Sequence, residues 1–373
     1  MQVKSAMRGL LSAALFTLFA GAGLVRAEGT AYVSNQEGGV SIVDLAKMEV
    51  TGELDVGGKV PRGLGLADKG RTLVVAVRES GDIALIDIAS GKVTRRIAVG
   101  KNPEFVRVRG DMAFVSFEPA SKLGPPPKAG GEKKEEGEKK EGKEGAAAGK
   151  AGGHDDDDGD KEPAKIAVID LKRGKVVRNI IGGPETEGIE FTPDGKRLVV
   201  TNEADNTLTL HEIRTGKLLK KVDTTPYGAR PRGVKVSPDG KTYVVTLEFG
   251  NTFLVLDDKL VPVKTVPTGL APYGVSFDRK GERLYVATSR SKALEVYDGK
   301  TFEKIKDVAL EADRCWHFSF TPDDSRILVA CGRSDALVVV DAATLEVTGR
   351  VADKKLPWGV VTWPHSMGSL DQP

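Results

Sequence analysis

The chain has 373 residues, 40% hydrophobic and 29% charged, with 44 Gly, 19 Pro and only 2 Cys. Its 55 Lys and Arg against 53 Asp and Glu give a net charge of +2, so no strong field draws it to nucleic acid or membrane. Two cysteines and four scattered histidines (His154, His211, His317, His365) exclude a disulfide-stapled miniprotein and a four-cysteine zinc site.

At the N-terminus, Lys4 and Arg8 precede an apolar stretch from Leu10 to Val25, which ends in Val25-Arg26-Ala27 before Glu28. This is the pattern of a secretory signal peptide over residues 1–27, cleaved after Ala27; an uncleaved anchor is the alternative. No other apolar run is long enough to span a bilayer. Removing three basic residues takes the mature chain to −1. The implied compartment is a bacterial periplasm, where cysteines oxidise.

From residue 28 to 363 the sequence repeats. Each unit opens on Pro-x-Gly and an alternating run, as in Pro231-Arg232-Gly233-Val234-Lys235-Val236, then turns at Ser237-Pro238-Asp239-Gly240-Lys241. A β-rich run follows (Thr242 to Leu247), then a third ending in Asp, as in Ile83 to Asp87. A Gly-Lys turn and a fourth run close the unit, as in Lys92 to Val99. The opening position falls at Gly63, Phe105, Gly188, Gly233, Gly274, His317 and Gly359, in steps of 42, 83, 45, 41, 43 and 42. The doubled step holds residues 124–163, which carry 8 Lys and 12 acidic residues and no Val, Ile, Leu, Phe, Met, Tyr or Trp. Such a segment has no apolar surface to bury against its ordering entropy, so disorder is expected there.

Four short strands per unit, with period-2 alternation and turn chemistry between them, predict an all-β fold: a seven-bladed β-propeller of four-stranded antiparallel blades. Gly359 to Trp363 is a first strand without successors, and Ala31–Asn35, Val40–Asp44 and Val50–Val56 are three strands lacking a first. Joining them closes the ring, with 364–373 left as a C-terminal tail. The aspartates of Pro193-Asp194-Gly195, Pro238-Asp239-Gly240 and Pro322-Asp323-Asp324 read as turn residues rather than acid catalysts.

The succession Pro-x-Gly, Ser-Pro-Asp-Gly-Lys, Leu-Tyr-Val, Val-x-Asp, Gly-Lys-Val resembles the YVTN-type propeller repeat family, a WD40-like architecture. Tyr32-Val33-Ser34-Asn35, Val199-Val200-Thr201-Asn202 and Tyr285-Val286-Ala287-Thr288 are the nearest copies of its signature. The resemblance implies a secreted or periplasmic protein, with one branch associated with pyrroloquinoline-quinone (PQQ)-dependent alcohol catabolism. Lactonases and the d1-haem domain of nitrite reductase are relatives. The charged insert and Asp313-Arg314-Cys315-Trp316-His317 depart from the family pattern.

Strand direction places the residue before each opening position at one mouth of the central channel: Arg62, Glu104, Glu187, Arg232, Tyr273, Trp316 and Trp358, with His317 beside them. The ends of the second strands add Arg78, Glu118, Glu203 and Glu248, and the loops after them Arg290 and Arg333. Acidic residues gather on blades three to five, and arginines, including Arg314, on the other side. This suits a ligand of separated charges with an apolar part stacked on an aromatic ring. The competing reading is a set of structural ion pairs around a water-filled channel. His211 stands at a structural Asp position, and His154 to Asp158 lie in too floppy a tract to preorganise a metal site; no metal site is expected. Cys315 and Cys331 fall nearly opposite one another on one hairpin, which allows a disulfide if their side chains share a face.

No nucleophile elbow, haem-attachment, Walker or zinc-protease motif is present. The leading expectation is therefore a binding or accessory protein serving a quinone- or haem-dependent oxidation system, with a small molecule or periplasmic protein at the mouth. It would be a monomer, without nucleic acid or stable membrane insertion. The alternatives are a lactonase-like hydrolase using mouth carboxylates, with Arg62 or Arg232 steadying an oxyanion, and a cofactor-handling protein with His317 on a tetrapyrrole. No resident cofactor is required by any motif; haem or PQQ enters only through those readings.

Overall fold

The computed structural model describes residues 28–118, 163–353 and 355–371. The signal-peptide reading of 1–27 and all of the 124–163 insert except Pro163 lie outside them. Seven four-stranded antiparallel sheets stand in a ring. The chain is a seven-bladed β-propeller. Within each sheet the strands are lettered A to D from the channel outward. Among the described residues no helix is long and apolar enough to cross a membrane.

Blade one is composite. Its A strand, Pro357–Trp363, pairs antiparallel with Thr30–Asn35 from the other end of the chain, Thr30 facing Trp363 and Val33 facing Val360. Alternation builds the rest: the B and C strands bury both faces between neighbouring blades, whereas the D strands alternate exposed and half-buried residues at the rim. Polar turn residues behave as their chemistry dictates. Asp194 accepts from Thr192 Oγ1 at 2.5 Å and from the Lys196 amide at 3.0 Å, which holds its carboxyl down at about 2. Asp239 and Asp323 repeat the arrangement.

Two features position the mouth. The A–B ladder slips at Pro-x-Gly, as between Pro61 and Leu64, Pro231 and Val234, and Pro272 and Val275, a bulge that re-aims the intervening side chain. The residue before each A strand is left-handed without being glycine: Val60, Asn102, Glu185, Arg230, Ala271, Arg314 and Leu356 have φ of 49–62°. In six blades its carbonyl accepts the first amide after the B strand, from Arg78, Glu203, Glu248, Ser289, Gly332 and Gln36. That bond ties the D-to-A loop to the B-to-C loop. It brings the two sets of loop residues to one face.

Glycine at the opening position has a steric cause. A Cβ on Gly63 would lie 2.4 Å from the Glu104 carbonyl oxygen, and one on Gly274 would lie 2.4 Å from that of Trp316. Only two openings carry larger side chains, Phe105 and His317. Their rings meet edge to face inside the channel, centroids 6.2 Å apart.

The C-terminal tail is not a loose end. After Trp363 it turns into the channel and runs along strand A of blade seven, with Phe320 N donating to Met367 O and Ser369 N to Phe318 O. Arg107 donates to the Leu370 carbonyl at 2.7 Å and Lys235 to the Asp371 carbonyl at 2.7 Å. Glu190 lies 2.6 Å from Arg107 and 3.6 Å from Lys235, a buried counter-charge to the two cations that hold the two carbonyls. Burial, with Arg107 adjacent, pulls the Lys235 ammonium down to about 7. The expectation of a water-filled channel is corrected here, because the tail occupies the end away from the mouth. Ending the chain after Trp363 exposes the surfaces that Met367 and Leu370 cover, and is expected to cost about 3–6 kcal/mol at roughly 1.5–3 kcal/mol per buried side chain. Urea denaturation monitored by circular dichroism checks this; an unchanged midpoint would show that the tail is not a structural plug.

Candidate functional site

The mouth encloses about 340 Å³, and all seven residues that precede the opening positions line it. Hydroxyls on two B strands place Arg232 and Tyr273. Thr201 Oγ1 receives the Gly188 amide at 2.7 Å and donates to the Arg232 carbonyl at 2.7 Å. Thr246 Oγ1 likewise joins Gly233 to the Tyr273 carbonyl. Blades four and five thereby fix the mouth residues of the blades that follow them, Arg232 and Tyr273. Arg78, Glu118, Glu203, Glu248 and Arg290 line the same pocket, together with Arg314. Arg333 stands outside the lining, in a short 3-10 turn over Gly332–Ser334.

The mouth divides into three sectors of different electrostatics. Over blades four to six, Arg232 is a hub: its Nε donates to Glu248 at 2.6 Å, its Nη1 donates to Glu203, and Glu187 lies 3.5 Å away. Arg230 adds pairs to Glu203 at 2.9 Å and Glu248 at 3.1 Å. Tyr273 donates its hydroxyl to Glu187 at 2.5 Å, and its ring lies 4.7 Å from the Arg232 guanidinium. Burial raises the Glu187 carboxyl and raises Glu203 strongly, with Arg232 opposing both. This sector is the structural ion-pair network of the competing reading.

The second sector is looser. Glu104 lies 3.6 Å from Arg78 and 3.9 Å from Arg62, and no ion pair joins Glu118 to a cation among the described residues. Burial, reinforced by Glu104, Glu185 and Glu187, pushes the Glu118 carboxyl up to about 8. It therefore passes between acid and base near neutral pH. In the third sector Arg290, Arg314 and Arg333 approach one another, and no carboxylate of the described residues comes within ion-pair distance of them. Burial lowers Arg314, with Arg333 adding to the effect, and its guanidinium lies 6.0 Å from the Trp316 ring.

His317, expected beside the mouth, lies beneath it and is only 2% exposed. The slip at Cys315/His317 turns its ring into the channel, where Trp358 and Tyr273 stand 4.5 and 5.3 Å away between centroids. Enclosed by these rings, it presents no open face to a tetrapyrrole, so an axial haem ligand does not fit the arrangement. His211 is likewise buried, within blade four. Four lining residues escaped the sequence reading: Gln36, Glu185, Arg230 and Phe249. Arg230 and Glu185 directly precede an A strand, and Gln36 and Phe249 follow B strands, so the repeat register alone could have found them.

Cys315 and Cys331 face each other in the ladder and are joined as a disulfide, with Cα atoms 3.9 Å apart. The bond sits between Arg314 and Trp316 and anchors this edge of the mouth. Its sequence separation of 16 sets an expected loss of about 3 kcal/mol on reduction. Urea curves with and without reductant check this, and thiol titration of the unfolded, unreduced protein should find no free thiol.

Residues 170–256 match the family described as "Lactonase, 7-bladed beta-propeller". No curated protein matches the chain. Among solved structures, a functionally unknown protein from Desulfotomaculum acetoxidans DSM 771 aligns with a TM-score of 0.71 at 15% identity, covering 90% of this chain and 99% of that one. The periplasmic gluconolactonase PpgL of Pseudomonas aeruginosa aligns with a TM-score of 0.66 at 16% identity, over 90% and 98% of the two chains. The dihydro-heme d1 dehydrogenase NirN, in complex with DHE, gives 0.60 at 18% identity, over 89% and 74%. At these identities the likeness establishes the fold.

Proposed function

We propose that the protein is a lactone hydrolase that works at the channel mouth, outside the cytoplasm. The observation that carries this reading is a carboxyl raised to about 8, Glu118, in a pocket lined also by Arg62 and Arg78, which lie 3.9 and 3.6 Å from Glu104. Ionised Glu118 takes a proton from water as the hydroxide oxygen bonds to the lactone carbonyl carbon. Charge then develops on the carbonyl oxygen, where Arg62 and Arg78 oppose it. Collapse breaks the ring C–O bond, and the leaving alkoxide recovers the proton from Glu118. Of the two arginines suggested for the oxyanion, Arg62 suits the task better, because Arg232 is already committed to three carboxylates. The lactonase-family match over 170–256 and the fold shared with a gluconolactonase support the choice of substrate class. The signal-peptide pattern and the Cys315–Cys331 disulfide support an oxidising, periplasmic location.

The test is acid release from a panel of five- and six-membered lactones. Turnover that falls at least about 100-fold in Glu118→Gln is expected if it supplies general-base catalysis. A folded protein that opens no lactone would end the reading. One observation favours the accessory-protein alternative, with its link to a PQQ-dependent system: Arg290, Arg314 and Arg333, beside Trp316 and without carboxylate partners among the described residues, would suit an anionic partner surface.

A further inference from the structure

Directly under the mouth, three adjoining residues each bury a polar nitrogen that has no hydrogen-bond partner among the described residues: Arg62 Nε, Trp358 Nε1 and His317 Nε2. The Arg62 guanidinium lies 5.3 Å from the Trp358 ring centroid, and the His317 ring 4.5 Å from it. Trp358 is 1% and His317 2% exposed, yet Arg62 and Trp358 both line the pocket above. Buried polar atoms in folded proteins are nearly always paired, so three orphans on adjoining side chains call for a common partner.

Two of the three nitrogens can only donate, and the role of the third follows from the tautomer of His317. Ser369 Oγ, brought in by the C-terminal tail, lies 3.0 Å from the Phe318 amide, 3.0 Å from His317 Nδ1 and 3.3 Å from the Phe318 carbonyl. The amide must donate to it, and we assign the hydroxyl proton to the carbonyl; placed on Nδ1 instead, it would make Nε2 a third donor. The remaining lone pair of Oγ accepts Nδ1–H, which leaves Nε2 as a bare acceptor. Burial first, then Arg62, Lys235 and Arg232, hold the imidazole down at about 3, so it is neutral at physiological pH. Arg62 Nε and Trp358 Nε1 carry hydrogen and only donate. Tyr273, the other polar ring here, gives its hydroxyl to Glu187.

We propose that Arg62 Nε, Trp358 Nε1 and His317 Nε2 form a socket for one hydroxyl oxygen, supplied by the deep end of a ligand in the mouth or by a bound water. A hydroxyl has two lone pairs for the two donors and one proton for His317, so all three groups are satisfied at once. A carboxylate or a carbonyl lacks the proton, and an ammonium lacks the lone pairs. If the ligand supplies it, the mouth selects polyhydroxylated molecules over plain acyl chains. That specificity rests on the mouth being a ligand site, as in the hydrolase reading, but the socket itself does not require turnover.

The experiment uses D-gluconate and hexanoate, acids of equal chain length with and without hydroxyls. Crystals of the wild-type protein, free and soaked with D-gluconate, should show an oxygen hydrogen-bonded to all three nitrogens. Its replacement by a gluconate hydroxyl assigns the ligand as source, and its persistence assigns water. Titrations read by tryptophan fluorescence should then show His317→Leu weakening gluconate relative to hexanoate by about tenfold if the ligand is the source, the worth of one hydrogen bond. They should show no selective change if water is. Trp358→Phe removes one donor and serves where His317→Leu fails to fold. Crystals with no oxygen at the three nitrogens, free or soaked, overturn the socket. Gluconate bound in the socket by a protein that opens no lactone keeps this proposal and ends the hydrolase reading.

Discussion

Arg232→Ala is expected to destabilise the propeller by about 3–5 kcal/mol, the cost of leaving buried charges without their partner. Arg232 bonds Glu248 and Glu203, approaches Glu187 and packs on the Tyr273 ring. Removing it strands three carboxylates of low exposure, and Arg230 reaches only two of them. The loss should grow with pH. Burial already raises Glu187 and Glu203, and without the arginine both rise further. A carboxyl raised in the folded state binds its proton more tightly folded than unfolded, so stability falls as pH climbs above the ordinary carboxylate range. Urea denaturation from pH 5 to pH 8 measures the effect. A small loss that does not change with pH would show that the hub is solvated and that these glutamates ionise freely.

The contrast between Arg232 and Arg62 shows how much of the site the sequence could reveal. Repeat spacing placed both at equivalent mouth positions, because period-2 alternation and Pro-x-Gly openings report strand phase directly. The same regularity exposed the blade count, the turn role of Asp194 and Asp239, and the split blade closed by Pro357–Trp363. Spacing cannot report partners across blades. That Arg232 is saturated by three glutamates whereas Arg62 Nε has no partner among the described residues depends on loop paths set by left-handed residues such as Val60 and Arg230. Both precede proline, where local preference favours extended backbone, so the sequence argues against the conformation adopted. His317 was displaced from its expected place for a related reason, since a bulge shifts side-chain direction without changing the count of residues. The tail was hidden because Ser366 to Asp371 falls outside the repeat and has little apolar character. Besides the burial of Met367 and Leu370, it is held by Arg107 and Lys235 reaching for backbone carbonyls, a contact that no side-chain pattern encodes.

Glu118 carries the other large expected effect. If it is the base that activates water, kcat/KM for a good lactone should rise with pH and level off above about 8, because only the ionised carboxyl can accept the proton and burial sets its transition there. Glu118→Gln should abolish this rise and leave a low, flat rate. The same substitution should have the opposite effect on stability. Because the folded protein holds the Glu118 proton more tightly than the unfolded chain does, wild-type stability erodes between the ordinary carboxylate range and about pH 8. Glutamine cannot ionise, so the variant should match wild type near pH 4 and be the more stable protein at pH 8 and above. Activity and stability thus move in opposite directions on the alkaline side, as expected where a catalytic group is kept in surroundings that disfavour its charge. Thermal melts at pH 4 and pH 9, beside the rate profile, separate the outcomes. A variant less stable than wild type at pH 9 would mean that the ionised carboxylate is held by Arg78 as a structural partner, and the base assignment would pass to Glu104.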